Sequence, residues 1–436
     1  MLSLPEAFGQ GRLNGMDFSF KLSVLRHLRA MKAEQWLGPE KMAGIQAKRL
    51  AGIVGAARSL GRTLQPVAHP DELQNLPIIS KEDVLRSPAL FLDESLRGPL
   101  VRATSSGTTG KPLRVLMDLA MAADTDAAKF CFLTDFGLSP LDRYAETTIT
   151  RNRPASDFLG PFRRLMLPVL GDEGEHLALL KKHRINALRA YPSIAEVMAA
   201  LNRESAVPLK LKLINCGAEM LTKEMRRNIE SSFSSEIFVN YGVTEFGYVA
   251  WECPEEHGLH VNCSSTILEI VDGNGKSARS GEIVLTTLHN RAMPLIRYRT
   301  GDTGRWGREC ACGRLWPVLE SLDGRLAEAV ELPSGRLCPS IKFYFPSGMK
   351  SDVSSIRQYQ VVQAEPGLFV FRFVPSGKGP GPECLAEVRE KLLQAAGEPI
   401  SVEFERAERI SREPSGKFRH VIPYRPGPTM ERKSPQ

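Results

Sequence analysis

Thr104-Ser105-Ser106-Gly107-Thr108-Thr109-Gly110-Lys111-Pro112 gathers five hydroxyl side chains, two glycines and a lysine within eight residues. Glycines let backbone N–H groups close around phosphate oxygens, hydroxyls add donors, and lysine adds charge. The spacing is not that of a Walker loop, since only Thr108 and Thr109 separate Gly107 from Gly110-Lys111, and Pro112 follows the lysine. A flexible Ser/Thr/Gly linker has a similar composition; the lysine beside Gly110 and the rigid proline after it favour a phosphate cradle. A second cluster places Cys253 near His257 and His260, with Cys310-Ala311-Cys312 well downstream. Two short ligand pairs at a distance are how a structural Zn2+ tetrahedron is assembled. The alternative is a set of ordinary buried cysteines beside a surface histidine. Cys131, Cys216, Cys263, Cys338 and Cys384 have no comparable partners and read as small core residues. No Gly-x-Ser-x-Gly string is present, so a serine hydrolase gains no support.

These groups sit in a chain of 436 residues, 42% hydrophobic, long enough for one large domain and a smaller one. That apolar content, without any short repeat, excludes a disordered or fibrous class. The net charge of +7, from 57 basic and 50 acidic residues spread along the chain, suits nucleotide-like polyanions or simple solubility. It is not the concentrated basic patch of a nucleic-acid reader. Nothing near Met1 resembles a secretory leader, and no segment approaches the ~18 uninterrupted apolar residues of a spanning helix. Eight cysteines are too sparse for a disulfide scaffold. The expectation is a soluble cytoplasmic enzyme with no membrane partner.

The elements that must position these residues follow from periodicity. Ile45, Leu50, Ile53, Val54, Ala57 and Leu60 fall mostly three and four apart, predicting a helix over Lys41 to Leu60 that stops at Gly61. Ser80 with Glu82 and Asp83 behind it predicts a capped helix start. From about residue 100, the strand-like Leu211 to Cys216, Ile237 to Asn240 and Ile283 to Thr287 alternate with helical stretches such as Ser193 to Asn202. This alternation predicts an α/β core. Past Gly324 the texture changes: strands over Gln358 to Val362 and Leu368 to Val374, an amphipathic helix from about Glu383 to Ala396 closed by Gly397, and a strand over Ser401 to Phe404. Leu385, Val388, Leu392 and Ala396 mark that helix's buried face. A boundary near Asp323 to Arg325 divides the chain into domains 1–324 and 325–436.

The TSSGTTGKP string resembles the phosphate loop of the adenylate-forming superfamily, which includes acyl-CoA synthetases, luciferases and peptide-synthetase adenylation domains. Within it, the likeness is to the short phenylacetate–CoA ligase-like branch, from about Leu76 to about Tyr424; residues before Leu76 match poorly. Other motifs fall in the family's order: Gly217-Ala218-Glu219, Asn240-Tyr241-Gly242-Val243-Thr244-Glu245, Tyr298-Arg299-Thr300-Gly301-Asp302, Gly324-Arg325 and Pro414-Ser415-Gly416-Lys417. The resemblance implies a large N-terminal domain with βαβ layers that binds ATP and acid, and a small mobile C-terminal α+β domain carrying Lys417. It implies that Tyr241 stacks on adenine beside Asn240, Ala218 and Glu219, that Thr244 binds the α-phosphate and that Glu245 holds Mg2+. By the same resemblance Asp302 accepts from the ribose hydroxyls, Arg325 reaches ribose or phosphate, and Lys417 meets the α-phosphate and carboxylate. An aromatic face suits a purine and a carboxylate suits magnesium. Gly258-Leu259-His260-Val261 matches a segment common in the branch and selects His260 over His257 as the zinc ligand with Cys253, Cys310 and Cys312.

The implied activity is ATP-dependent conversion of a small carboxylic acid to its acyl-adenylate with release of pyrophosphate, then acyl transfer to coenzyme A. Tyr191, Gly217, Gly242 and Gly247 fall near the family's acid-binding elements and suit a flat aromatic acid, although Tyr191 equally suits core packing. The hinge departs from the family: Leu326-Ala327-Glu328 follows Gly324-Arg325, with Glu328 the available pivot. That departure puts the coenzyme A step in doubt and keeps open an amine or a carrier-protein thiol as acceptor. A non-catalytic nucleotide binder is the third reading, against which the joint presence of Thr244, Glu245, Asp302 and Lys417 counts. The acid, the acceptor and the oligomeric state, a homodimer included, are not determined by these residues.

Overall fold

A computed structural model describes residues 18–105, 113–148, 153–157, 163–255, 258–325, 330–338, 340–344, 351, 355–413 and 417–424. The chain divides into two compact units, one of Met1–Asp323 with Pro414–Lys417 and one of Gly324–Glu413 and Phe418–Gln436.

The large unit opens with helices α1 (Phe18–Glu34) and α2 (Pro39–Ser59), the latter closed ahead of Gly61 at φ +87°. Helix α3 (Lys81–Arg86) begins in a capping box: the Ser80 hydroxyl accepts from the Asp83 backbone N–H, and the Asp83 carboxylate accepts from the Ser80 backbone N–H. A hairpin of β1 (Val101–Thr104) and β2 (Arg114–Met117) carries the candidate phosphate loop, and α4 (Leu119–Asp135) follows it. Then come β3 (Arg143–Thr148), β4 (Ala155–Asp157), β5 (Arg163–Pro168), α5 (Glu173–Lys182), β6 (Ala187–Ala190), α6 (Pro192–Arg203), β7 (Leu213–Gly217), α7 (Lys223–Phe233) and β8 (Ile237–Val243). The rest is strand: β9 (Gly247–Trp251), β10 (Leu259–Val261), β11 (Thr266–Val271), β12 (Ser280–Thr287), β13 (Tyr298–Trp306) and β14 (Val318–Arg325).

Twelve of these strands form one sheet in the order β11-β12-β13-β14-β10-β9-β8-β7-β6-β3-β5-β4. Its middle, β8-β7-β6-β3-β5, is parallel, and β9 turns the sheet antiparallel by pairing with β8. The parallel strands β6, β7 and β8 are joined by helical crossovers, as their near-continuous apolar runs require. One core lies against α4, where Phe132 meets Phe238, Tyr248 and Trp251; a second packs Leu188, Ile214, Ile194, Ile229 and Phe233 between parallel strands and helices α6 and α7. Among the described residues no helix is long and apolar enough to cross a membrane.

The small unit holds the short pair β15 (Val330–Glu331) and β16 (Leu337–Cys338), then β17 (Ile356–Glu365), β18 (Leu368–Pro375), α8 (Pro382–Ala396), β19 (Ser401–Arg406) and β20 (Val421–Ile422). Its four-stranded sheet runs β19-β18-β17-β20. Val388, Leu392 and Ala396 of α8 are buried against it with Leu385 partly so, and Gly397 ends the helix at φ +67°, as the sequence pattern predicts. Cys131, Cys216, Cys263, Cys338 and Cys384 are all buried, and none is in a disulfide.

His420 is 3% exposed among the rings of Tyr344, Tyr359 and Phe418. Burial, aided by Arg412, pushes its imidazole down to about 3 from an ordinary 6.5. Protonation therefore favours the unfolded chain: the contribution is full above about pH 6.5 and is lost as pH falls toward the folded value. Acidification to pH 5 is expected to remove about 2 kcal/mol of stability. Denaturant titration of the wild type and His420→Phe across pH 5 to 7.5 checks this; equal pH slopes for the two would refute it.

Candidate active site and metal centre

The phosphate-loop residues Ser106, Gly107, Thr108, Thr109, Gly110 and Lys111 lie outside the described residues, as do His257, Glu328 and the loop before Lys417. The base of the loop is described. Thr104 pairs with Arg114 across the hairpin, and Ser105 exchanges two bonds with Leu113: its N–H donates to the Leu113 carbonyl at 2.9 Å, and its hydroxyl accepts from the Leu113 N–H at 3.3 Å. Arg325 ends β14, and Lys417 is half-buried.

Most of the other predicted residues stand on the large sheet near the ends of β7, β8 and β13. Gly217 closes β7, and the next residue, Ala218, adopts φ +69°, a left-handed conformation that a non-glycine residue rarely holds. Glu219 turns back to accept the Ser193 backbone N–H at the start of α6 at 3.1 Å. Asn240 pairs with Gly217 across β7 and β8, and its carboxamide fills the space a Cβ would take there, with atoms at 2.8 to 3.0 Å. Asn240 is 3% exposed, yet among the described residues neither its Oδ1 nor its Nδ2 has a hydrogen-bond partner. A buried amide without a partner is costly, by about 1–3 kcal/mol, so such a group marks a place where a ligand completes the structure.

One residue on, the Tyr241 hydroxyl donates to Asp302 Oδ2 at 2.7 Å, tying β8 to β13. Asp302 is further set by its backbone N–H donating to the Thr300 hydroxyl at 3.1 Å. Thr244, Glu245 and Phe246 form the turn between β8 and β9. Glu245 is 8% exposed and accepts from the Tyr298 hydroxyl at 3.4 Å. Tyr298 belongs to the Tyr298-to-Asp302 motif, but nothing in its spacing announces that it reaches Glu245.

Gly247 starts β9 at φ +68°, and a Cβ there would lie 2.6 Å from Thr125 Oγ1. Gly247→Ala therefore combines backbone strain with a clash. It is expected to lose about 2–4 kcal/mol of stability, with Thr125→Ala restoring only the clash share. A double-mutant cycle by denaturant unfolding measures this, and no coupling between the two positions would refute it.

Tyr191 is 5% exposed and packs within the core of the parallel layer. Close by, Arg189 lies over the Tyr248 ring at 5.3 Å and 3.9 Å from Glu146, which also faces Lys129 at 3.7 Å and Arg164 at 2.9 Å. Burial alone would raise the Glu146 carboxyl; Lys129, Arg164 and Arg189 override it and hold it at about 2. No spacing rule in the sequence signals this buried charge network, because its members come from α4, β3, β5 and β6.

The predicted zinc ligands do converge. Donor atoms of Cys253, His260, Cys310 and Cys312 all lie within 4.8 Å of one another. Cys253 Sγ is 3.5 Å from Cys310 Sγ, and Cys312 Sγ is 3.4 Å from His260 Nε2. His260 Nδ1 faces the Trp316 carbonyl at 3.3 Å, which can only accept; the proton therefore sits on Nδ1 and the Nε2 lone pair faces the sulfurs. Burial pushes the His260 imidazolium down to about 4, keeping the ring in its ligating form. Burial also raises the Cys312 thiol, but hydrogen bonds from Arg314, Cys310 and Cys253 outweigh it and bring it below the ordinary range. Arg314 is in turn anchored to Gln35 at 2.9 Å and Asp135 at 3.0 Å. Three cysteine sulfurs and an imidazole with a fixed tautomer form a donor set that fits zinc.

Residues 344–423 match the CapK C-terminal domain family. A phenylacetate-coenzyme A ligase of Thermus thermophilus is 28% identical over 277 residues, covering 59% of this chain and 62% of that enzyme. The chain thus spans less than two thirds of that relative's length. Protein CapK of Staphylococcus aureus is 21% identical, covering 80% of each chain. Among solved structures, 2-hydroxyisobutyryl-CoA ligase in its postadenylation state, in complex with an acyl-AMP, superposes with a TM-score of 0.66 at 17% identity, covering 94% of this chain and 91% of that one.

Proposed function

We propose that this relative of the phenylacetate–coenzyme A ligases, folded as an adenylate-forming enzyme, joins a small aromatic acid to AMP and passes the acyl group to coenzyme A. The observation that carries the reading is Asn240: a buried carboxamide with neither polar atom paired among the described residues, beside the Tyr241–Asp302 bond and the Glu245 turn. A carboxamide offers a donor and an acceptor side by side, as the edge of adenine does. Tyr241 supplies a flat face for the base, and Asp302, held by the Tyr241 hydroxyl, accepts from the ribose.

Thr104 to Lys111 cradle the phosphates. A carboxylate oxygen attacks the α-phosphorus in line, the bond to the bridging oxygen breaks, and pyrophosphate leaves with its electron pair. Thr244 and Lys417 hold the α-phosphate where charge builds up. Glu245 would hold Mg2+, which when bound neutralises phosphate charge. In the second half, the acceptor sulfur attacks the acyl carbon and AMP departs. Domains 1–324 and 325–436 act as a nucleotide- and acid-binding body and a moving carrier of Lys417, with Arg325 at the junction. Cys253, His260, Cys310 and Cys312 would hold a structural Zn2+ with no position left for water. The Leu326-Ala327-Glu328 hinge motivates a second reading, in which an amine or a carrier-protein thiol replaces coenzyme A.

ATP–pyrophosphate exchange over a panel of aryl, heteroaryl and aliphatic acids tests the first half-reaction. Exchange that depends on one class of acid identifies the substrate, and acceptor-dependent AMP release then separates coenzyme A from an amine or carrier. No exchange with any acid, despite ATP binding, would overturn the ligase reading.

A further inference from the structure

His27 of α1, Asp124 of α4 and His289 in the segment after β12 are distant in sequence and none belongs to the site above. Their donor atoms all lie within 4.8 Å of one another. His27 Nδ1 is 3.2 Å and His289 Nε2 is 3.5 Å from the same oxygen, Asp124 Oδ1. Bonds of about 2.0–2.2 Å from one tetrahedral centre would set neighbouring ligand atoms about 3.3–3.5 Å apart, so these two edges have the length a shared ion imposes. His289 Nε2 also lies 3.0 Å from the Ser264 carbonyl, which accepts its proton in the ion-free ring, so an ion bound at Nε2 takes that proton's place.

The charge balance points the same way. Asp124 is 2% exposed, and a buried carboxylate needs a compensating charge. The guanidinium nearest the cluster, Arg49, is already held by both oxygens of Glu34 at 2.6 and 2.8 Å. The groups facing Asp124 are the two imidazoles and the Ser265 hydroxyl, and an imidazole nitrogen and a carboxylate oxygen are both donors that a transition ion accepts. Of the three, His289 borders a cavity of about 610 Å3, whose charged lining is Lys48, Arg49, Arg97, Asp118 and Arg291.

We propose that His27, Asp124 and His289 form a second metal centre that binds a divalent transition ion, of which zinc is the natural case, through two imidazole nitrogens and one carboxylate oxygen. Imidazole-rich donor sets disfavour magnesium and calcium, which want oxygen. Bound there, the ion ties α1 to α4 and to the strand end after β12, and the ion's binding energy becomes stability of α1. The inference stands apart from the ligase reading and from the cysteine centre.

The test is a metal count on tag-free, full-length protein after equilibration with Co2+ and desalting. Two equivalents are expected in the wild type, and one each in Cys310→Ser and His289→Gln. His289→Gln should keep the full thiolate-to-cobalt charge-transfer band, since only the cysteine centre produces it. Hydrogen exchange of the wild type supplies a readout that needs no variant: amides of α1 should gain protection when the second equivalent binds. A wild type with a single equivalent, lost entirely in Cys310→Ser, would overturn the proposal while leaving the cysteine centre intact; so would two equivalents that persist in both His289→Gln and Asp124→Asn.

Discussion

Lys417→Ala is expected to lower acid-dependent ATP–pyrophosphate exchange by about 10²–10³-fold, the loss typical of removing one preorganised donor from developing charge. The expectation rests on the assignment of Lys417 to the α-phosphate and carboxylate, two anions that must be brought together before the bond forms. Without a cation between them, their repulsion and the charge building on the phosphate both raise the barrier. Ground-state ATP binding should change far less, because the base, ribose and phosphate contacts proposed for Asn240, Tyr241, Asp302 and the phosphate loop do not involve Lys417. Exchange kinetics set beside equilibrium binding of a fluorescent ATP analogue separates these effects. A variant that binds ATP normally and still exchanges at the wild-type rate would remove Lys417 from the chemistry, and a parallel loss of binding would instead mark it as a binding residue.

Cys310→Ser is expected to release one zinc equivalent and to destabilise the large unit by about 3 kcal/mol or more, the scale of losing a structural metal ligand. For a unit of this size that corresponds to a fall in melting temperature of about 4–5 °C. The physical reason is local: the chain around Cys310 and Cys312 has little apolar packing of its own, and among the described residues its small cluster contains only Cys253, Val318 and the partly buried Cys312 besides Cys310. Exchange activity per folded molecule should persist, since four protein ligands leave the ion no catalytic position. Metal analysis and calorimetry check both halves; wild-type protein that retains no metal on purification would refute the centre.

Much of the local structure was legible in the residues. The Ser80–Asp83 capping box, the Gly397 terminus of α8 and the periodicity of α2 and α8 depend on groups one turn apart, and local sequence carries that information. The order of the family-like motifs, and the short spacing of Cys253, His260, Cys310 and Cys312, were equally visible. Tertiary structure alone decided the rest. The twelve-strand order, in which β3 sits between β5 and β6 and β10 pairs with β14, depends on long-range pairing whose cost is loop closure and whose gain is burial. The Tyr241–Asp302 and Tyr298–Glu245 bonds span 61 and 53 positions, so no window of sequence contains them. Asn240 could be placed in a motif, but only the packed structure shows its carboxamide buried and without a partner among the described residues, because burial is a property of every neighbour at once. The same holds for Asp124 between His27 and His289: three unremarkable positions in the sequence become a set of ligands only when α1, α4 and the end of β12 are folded together.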